Sequence, residues 1–259
     1  MKKAKLPLVT LILLIAAAIS CSKSTTTAAD TTTNTVPDVY KKIYGATSIT
    51  SDGAYVYIKT KDLPDHKSAY YPTTNALYEA YSGTTFAGYT FVKNPNSIIE
   101  QTGTFKIPLN PAVNTAHAAT PLGPIGIALN GVPFFNQYAG PNQPLTSEIV
   151  SFDKYYGHPQ PQGMYHYHVE PLYLTTVKST KSGLMGFLLD GFPVYGPQEE
   201  NGTVLVSSQL DSYHGHTHTT VDYPNGIYHY HASNVNYLNS GYYILKSGSY
   251  YGTKGTFTN

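Results

Sequence analysis

A chain of 259 residues with 16 basic and 15 acidic side chains has almost no net charge. That balance argues against nucleic acid or a polybasic membrane patch as its partner. Charged residues make up 12% of the sequence, about half the usual fraction, while its single cysteine, Cys21, excludes an intrachain disulfide and leaves the body of the chain without a thiolate for a metal site.

The N-terminus reads "MKKAKLPLVTLILLIAAAISC". Lys2, Lys3 and Lys5 precede an apolar run from Leu6 to Ala18, and Cys21 closes the segment. This is the layout of a bacterial lipoprotein signal over residues 1–20, cleaved before Cys21. Such signals usually carry Leu three residues before the cysteine, where this chain has Ala18. The apolar run is short and broken by Pro7, so it reads as a signal and not as a permanent span. Acyl chains on Cys21 would then hold the protein outside the cytoplasm, and Ser22 after the cysteine points to the outer membrane of a two-membrane bacterium. Cleavage removes three lysines and leaves 13 basic residues against 15 acidic. Residues 21–38 are threonine-rich and lack large apolar side chains, so they read as a flexible tether. The rest, 39–259, has the size of one large β domain or two small ones, and no domain boundary is evident within it.

Within it, "AYVYIKT" (54–60) and "YTFVKN" (89–94) alternate as strands, and "TGTFKIPLNP" (102–111) runs as a strand into a proline-limited turn. Short helices are expected near 74–80 and 205–211. "GIALNGVPFF" (126–135) carries Asn130-Gly131 between apolar runs, the pattern of a hairpin whose two turn residues both take positive φ. Pro133 places the second strand of that hairpin at an edge or bulge. "DKYYGH" (153–158) and "GMYHYH" (163–168) follow.

The same three blocks then return in order. "GFLLDGFPVY" (186–195), "DSYHGH" (211–216) and "GIYHYH" (226–231) lie 60, 58 and 63 residues beyond their counterparts. Two copies at a period near 60 residues predict an internal pseudo-twofold duplication, with repeats of about 121–170 and 181–233. β-branched and aromatic residues dominate throughout, including 25 tyrosines. The expected fold is mainly β, a two-sheet sandwich or a distorted barrel.

Eight of the ten histidines fall between 158 and 231. In a strand alternate side chains share a face, so His166 and His168 lie together, as do His229 and His231, with the tyrosines of each run opposite. Neutral imidazole is the commonest metal ligand and a poor core residue. Writing the pair twice, each downstream of a Gly-His, gives six candidate ligands: His158, His166 and His168 against His216, His229 and His231. His214, His218 and His117 are weaker candidates, and His66 is isolated in sequence. Two arrangements remain open: one ion per repeat, or a single site where the two His-x-His strands lie side by side. Asp153 and Asp211 either orient an imidazole through its second nitrogen or cap a turn. Glu170, on the histidine face if the strand continues, is a candidate general base or a solvated strand-end residue. Asp190 reads as a hairpin turn residue.

The blocks "TPLGPIGIALNGVPFFN", "DKYYGHPQPQGMYHYHVEP", "GFLLDGFPVYGP" and "GIYHYH" together resemble the bacterial YHYH-domain proteins, most strongly over 115–235. The resemblance implies a secreted or lipid-anchored protein and brings no catalytic residue with it. The residues themselves point to a lipid-anchored metal-binding protein, with zinc or copper as the cofactor and the metal and the membrane as partners. A blue-copper centre is excluded, because it needs a cysteine thiolate. Two alternatives stand beside it: a metal-dependent hydrolase or oxidoreductase on the same site, or a metal-free module that stacks glycans or peptides on tyrosine.

Overall fold

The computed structural model describes residues 1, 34–233, 243–245 and 248–259, and residues from Thr33 to Asn259 belong to one unit. The signal peptide, Cys21 and most of the tether lie outside the described residues. The chain becomes regular at Asp38, which opens a four-residue helix ending at Lys41. No helix among the described residues is long and apolar enough to cross a membrane.

Among the described residues fourteen short strands follow in chain order: β1 (Ala46–Ser51), β2 (Tyr55–Thr60), β3 (Thr104–Pro108), β4 (Gly126–Ala128), β5 (Pro133–Phe134), β6 (Tyr138–Ala139), β7 (Gln143–Pro144), β8 (Gly157–Pro159), β9 (Tyr165–Tyr167), β10 (Leu184–Leu188), β11 (Pro193–Tyr195), β12 (Gly215–Thr220), β13 (Tyr223–His231) and β14 (Thr256–Thr258). They form a four-stranded sheet in the order β1-β2-β3-β14, an eight-stranded sheet β12-β13-β11-β10-β4-β5-β9-β8, and the ribbon β6-β7. The molecule is mainly β. The barrel alternative is not met, because the large sheet is open and ends on β8 and β12.

Alternation explains the packing. In β2 and β3, Val56, Ile58, Phe105 and Ile107 turn inward and are fully buried. They share one apolar core with Ile127, Phe134, Phe187 and Val194 of the large sheet and with Tyr165, Tyr167, Tyr228 and Tyr230. A smaller core of Phe86, Leu145, Ile149, Phe152 and Val169 lies apart from it. Phe152 in that cluster touches the rings of His158 and His168, so the smaller core covers the histidine face of β8 and β9.

The large sheet has the same pairings when followed from either end. β8–β9 and β12–β13 are antiparallel, β5–β9 and β11–β13 parallel, β4–β5 and β10–β11 antiparallel. At the middle, Gly126 pairs with Leu188, Ile127 with Phe187 and Ala128 with Gly186.

Four local expectations are corrected. Only the glycines of the hairpin turns take positive φ, Gly131 at 82° and Gly191 at 87°. Gly131 N–H donates to Ala128 O and Gly191 N–H to Leu188 O, so each turn is a four-residue turn ending in a left-handed glycine. Pro133 and Pro193 sit in interior strands, each as the first residue of its strand; the pairing of β11 with β10 carries a bulge between Leu184 and Gly186, and that of β5 with β4 carries none. Residues 89–94 form no strand beyond a single bridge at Thr90, and 74–80 form turns, with helical structure near 205–211 limited to a 3-10 turn at Ser207–Gln209.

Candidate metal centres

The two antiparallel ladders at the ends of the large sheet build the two histidine clusters. On β8 and β9, His158 lies directly across from His166. On β12 and β13, His216 lies across from His229. Directly opposed residues share a face, and so do residues two apart on one strand. Each ladder therefore gathers one cross-strand imidazole and two from the His-x-His strand: His158, His166 and His168, and His216, His229 and His231. The tyrosines of each run take the opposite face and enter the core. The shared-site arrangement is overturned, because β5, β4, β10 and β11 stand between β9 and β13. Five inter-strand steps of about 4.8 Å put the clusters roughly 24 Å apart.

In the first cluster the ring nitrogens are sorted by their neighbours. His166 Nδ1 lies 3.1 Å from Met164 O and His168 Nδ1 lies 2.6 Å from Asn136 O. A carbonyl only accepts, so both Nδ1 atoms carry hydrogen and donate. His158 Nδ1 is 2.6 Å from Ser151 Oγ, whose own hydroxyl donates to Glu148 O at 2.7 Å, so this Nδ1 also donates. In the neutral rings all three Nε2 atoms are then bare lone pairs. Yet His166 Nε2 is 3.1 Å from His158 Nε2 and 2.9 Å from His168 Nε2. Such nitrogens cannot bond to one another; a cation among them would satisfy all three. Four ligands about 2.1 Å from a zinc-like ion stand roughly 3.4 Å apart in a tetrahedron, close to these separations.

A proton is a poor occupant. Burial pushes His158 and His166 well below the ordinary imidazole range, helped by the neighbouring rings, and pushes His168 down to about 4. A buried acceptor left unsatisfied costs about 1–3 kcal/mol, so the three of the first cluster are a liability that a bound cation would offset. Phe135 stacks on His166 with centroids 3.8 Å apart, fixing the ring plane. Glu148 stands at the rim, with Oε2 3.6 Å from His158 Nε2 and 3.8 Å from His168 Nε2; burial raises its carboxyl. The cluster and Glu148 line a cleft of about 780 Å³.

The second cluster repeats the logic for two of its three rings. His229 Nδ1 faces Ile227 O at 3.0 Å and His231 Nδ1 faces Gly196 O at 2.6 Å, so both are donors. His216 Nε2 is 3.1 Å from His229 Nε2, and His231 Nε2 is buried without a hydrogen-bond partner. Burial lowers His216, pushes His229 down to about 4 and His231 to about 3. Glu199 Oε1 lies 3.1 Å from His216 Nε2 and 3.9 Å from His231 Nε2.

The remaining candidates lie elsewhere. Asp153 and Asp211 hold no imidazole. They accept from the first tyrosine of each run, Tyr165 at 2.9 Å and Tyr228 at 3.0 Å, and from the turn amides of Tyr155 and Tyr213. Asp190 caps its turn and also accepts from Tyr230 Oη at 2.5 Å, as Asn130 Nδ2 donates to Tyr167 Oη at 3.1 Å. Glu170 is corrected as a base: β9 ends at Tyr167, so the alternation stops, and the buried carboxylate binds Lys181 and Thr175. His214 occupies a left-handed turn position, matched by Tyr156 in the first half, and is outside the cluster. His218 is exposed beyond Glu199, with Nδ1 3.9 Å from Oε2. His117 stacks on Tyr213, and His66 is buried among tyrosines with Nε2 3.0 Å from Tyr167 Oη.

Sequence reasoning missed Glu148, Glu199 and Ser151. The two glutamates precede their Gly-His blocks at unequal distances, 10 residues before His158 and 17 before His216, so the repeat does not mark them. Residues 104–205 match the family model described as YHYH protein, a span that contains the first cluster and ends before the second. No curated protein and no solved structure matches the chain. Over the matched span, with its hairpin, its Gly-His turn and its Tyr-His-Tyr-His strand, the chain is similar to the YHYH protein family.

Proposed function

We propose that the protein binds two transition-metal ions, zinc or copper, one in each imidazole cluster, and is held outside the cytoplasm by acyl chains on Cys21. One observation carries the metal reading. Each Nδ1 of His158, His166 and His168 has an acceptor, so in the first cluster bare Nε2 atoms face one another at 2.9–3.1 Å inside the protein; the second cluster shows the same for His229 and His231. Neutral imidazole suits zinc and copper, and the absence of a cysteine ligand restricts copper to sites other than blue copper. The paired sheet halves and the offsets of 58–63 residues support descent of the two centres from one duplicated unit. The anchor rests on the N-terminal sequence alone.

A second reading, a metal-dependent hydrolase or oxidoreductase, is favoured by the cleft over the first cluster. The tyrosine-stacking module finds little support, because Tyr165, Tyr167, Tyr228 and Tyr230 are all buried.

Elemental analysis of the full chain, produced without a tag, should count two ions per chain. His166→Ala with His168→Ala should leave one, and so should His229→Ala with His231→Ala. Zero metal after incubation with zinc and with copper would sink the reading. In the same preparations Cys21→Ser should move the chain from the membrane to the soluble fraction; an unchanged distribution counts against the anchor.

A further inference from the structure

The two centres are not alike. At the second, Glu199 Oε1 sits 3.1 Å from His216 Nε2, within the edge length of a coordination tetrahedron, and 3.9 Å from His231 Nε2, and its side chain is 19% exposed. At the first, Glu148 stands off at 3.6 and 3.8 Å and its side chain is 36% exposed. The three imidazoles there are themselves nearly inaccessible, yet they form part of the wall of the 780 Å³ cleft. That volume lies within the range of sites for small organic molecules, far above the space one water needs.

The cleft wall says which molecule. Among the described residues that line it, Lys93 is the one cation and Glu148 the one carboxylate. These two charges cancel, so a divalent ion at the cluster would leave the cleft positive and favour an anion. Val92, Leu122, Val150 and Met164 supply apolar surface beside it.

We propose that the first centre keeps a coordination position open to the cleft and takes a small organic carboxylate there, its carboxylate on the ion and its apolar body against Leu122 and Met164, while Glu199 closes the second centre. This rests on the metal reading above. It goes beyond that reading by giving the two ions different roles, one ligand-accepting and one structural.

Cobalt(II) tests it, because its visible spectrum reports coordination at each ion. The full chain is loaded with two cobalt ions and titrated with benzoate and, separately, acetate. Benzoate should shift the bands of one ion only, and should bind at least tenfold tighter than acetate through its buried apolar ring. The shift should survive His229→Ala/His231→Ala and vanish in His166→Ala/His168→Ala. Lys93→Met should weaken benzoate by roughly three- to tenfold. Glu199→Ala, which leaves the first centre untouched, should make the second ion respond as well; this arm holds even where the first-centre variant fails to fold. No shift, a shift at both ions of the unaltered chain, acetate binding as tightly as benzoate, or an unresponsive second ion in Glu199→Ala would each overturn the proposal. A chain that takes up no cobalt overturns the metal reading itself, and this inference with it.

Discussion

Among the described residues Ser151 is the one side chain that orients a clustered imidazole by its own hydroxyl; the other assigned Nδ1 atoms rest on backbone carbonyls. A carbonyl comes with the chain wherever the strand runs, but a hydroxyl can be removed. Ser151→Ala leaves His158 Nδ1 without its acceptor and frees the ring to turn. Loss of an orienting partner typically weakens metal binding by about 10–100-fold. Ser151→Ala should therefore lower affinity at the first centre by that range and leave the second unchanged. Competition with a chromogenic chelator measures both, and equal weakening at the two centres would refute the role. Ser151 itself was not legible in the sequence. It acts on His158 through the 3-10 turn at Ile149–Ser151, and no period relates the two residues.

At the scale of elements, each hairpin turns on one glycine. Gly191 has φ of 87°, and a Cβ there would meet Pro108 O at 2.6 Å. Gly131 has φ of 82°, and its Cβ would meet Gly45 O at 2.6 Å. Both turns thus press on the four-stranded sheet or on the segment leading into it, so neither can relax outward. Gly202 has the same φ of 82° with nothing within 4 Å. The left-handed backbone alone costs an L-residue about 1–2 kcal/mol. Gly202→Ala should cost about 1 kcal/mol, and Gly191→Ala about 2 kcal/mol or more because the clash adds to it. Urea denaturation gives both values, and equal costs would mean that the close approach to Pro108 carries no energy. The turn motifs announced these hairpins in the sequence. They did not announce that Asp190 and Asn130 would each reach a tyrosine hydroxyl of the His-rich strand, a contact between residues 40 and 37 apart. The segment 89–94 misled for the opposite reason: its alternation has only one bridge partner, at Thr84, and a strand needs a neighbour to pair with.

For the whole molecule, the burial of both clusters sets the pH response. With folded values of about 4 for His168 and His229 and about 3 for His231, the neutral, metal-competent rings persist well below the 6.5 of a free imidazole. Protons should then compete with the metal only as pH falls toward 4. Zinc affinity, measured with a competing chelator, should stay nearly level from pH 7 to 5; a steep fall beginning near 6.5 would show ordinary imidazoles. The same shifts act on metal-free stability. Between 6.5 and the folded values the unfolded chain binds more protons, so these rings lose the folded state stability as pH falls through that window. Asp190, raised to about 6 by burial, acts in the other direction: its contribution is present below 3.8 and is lost as pH rises through 6.

The sequence by itself determined which histidines gather into each cluster. Strand alternation puts His166 with His168 and His229 with His231, and the matched Gly-His blocks supply His158 and His216, because a strand's period and a short antiparallel return are local properties. It also determined the β class and the hairpin glycines. Only the tertiary structure decided that the centres stand four strands apart, that Glu148 and Glu199 border them, and that Glu170 is held by Lys181. Those outcomes depend on which strands become neighbours in the sheet and on where loops cross its histidine face. Burial of the shared core sets that order, and no local spacing records it.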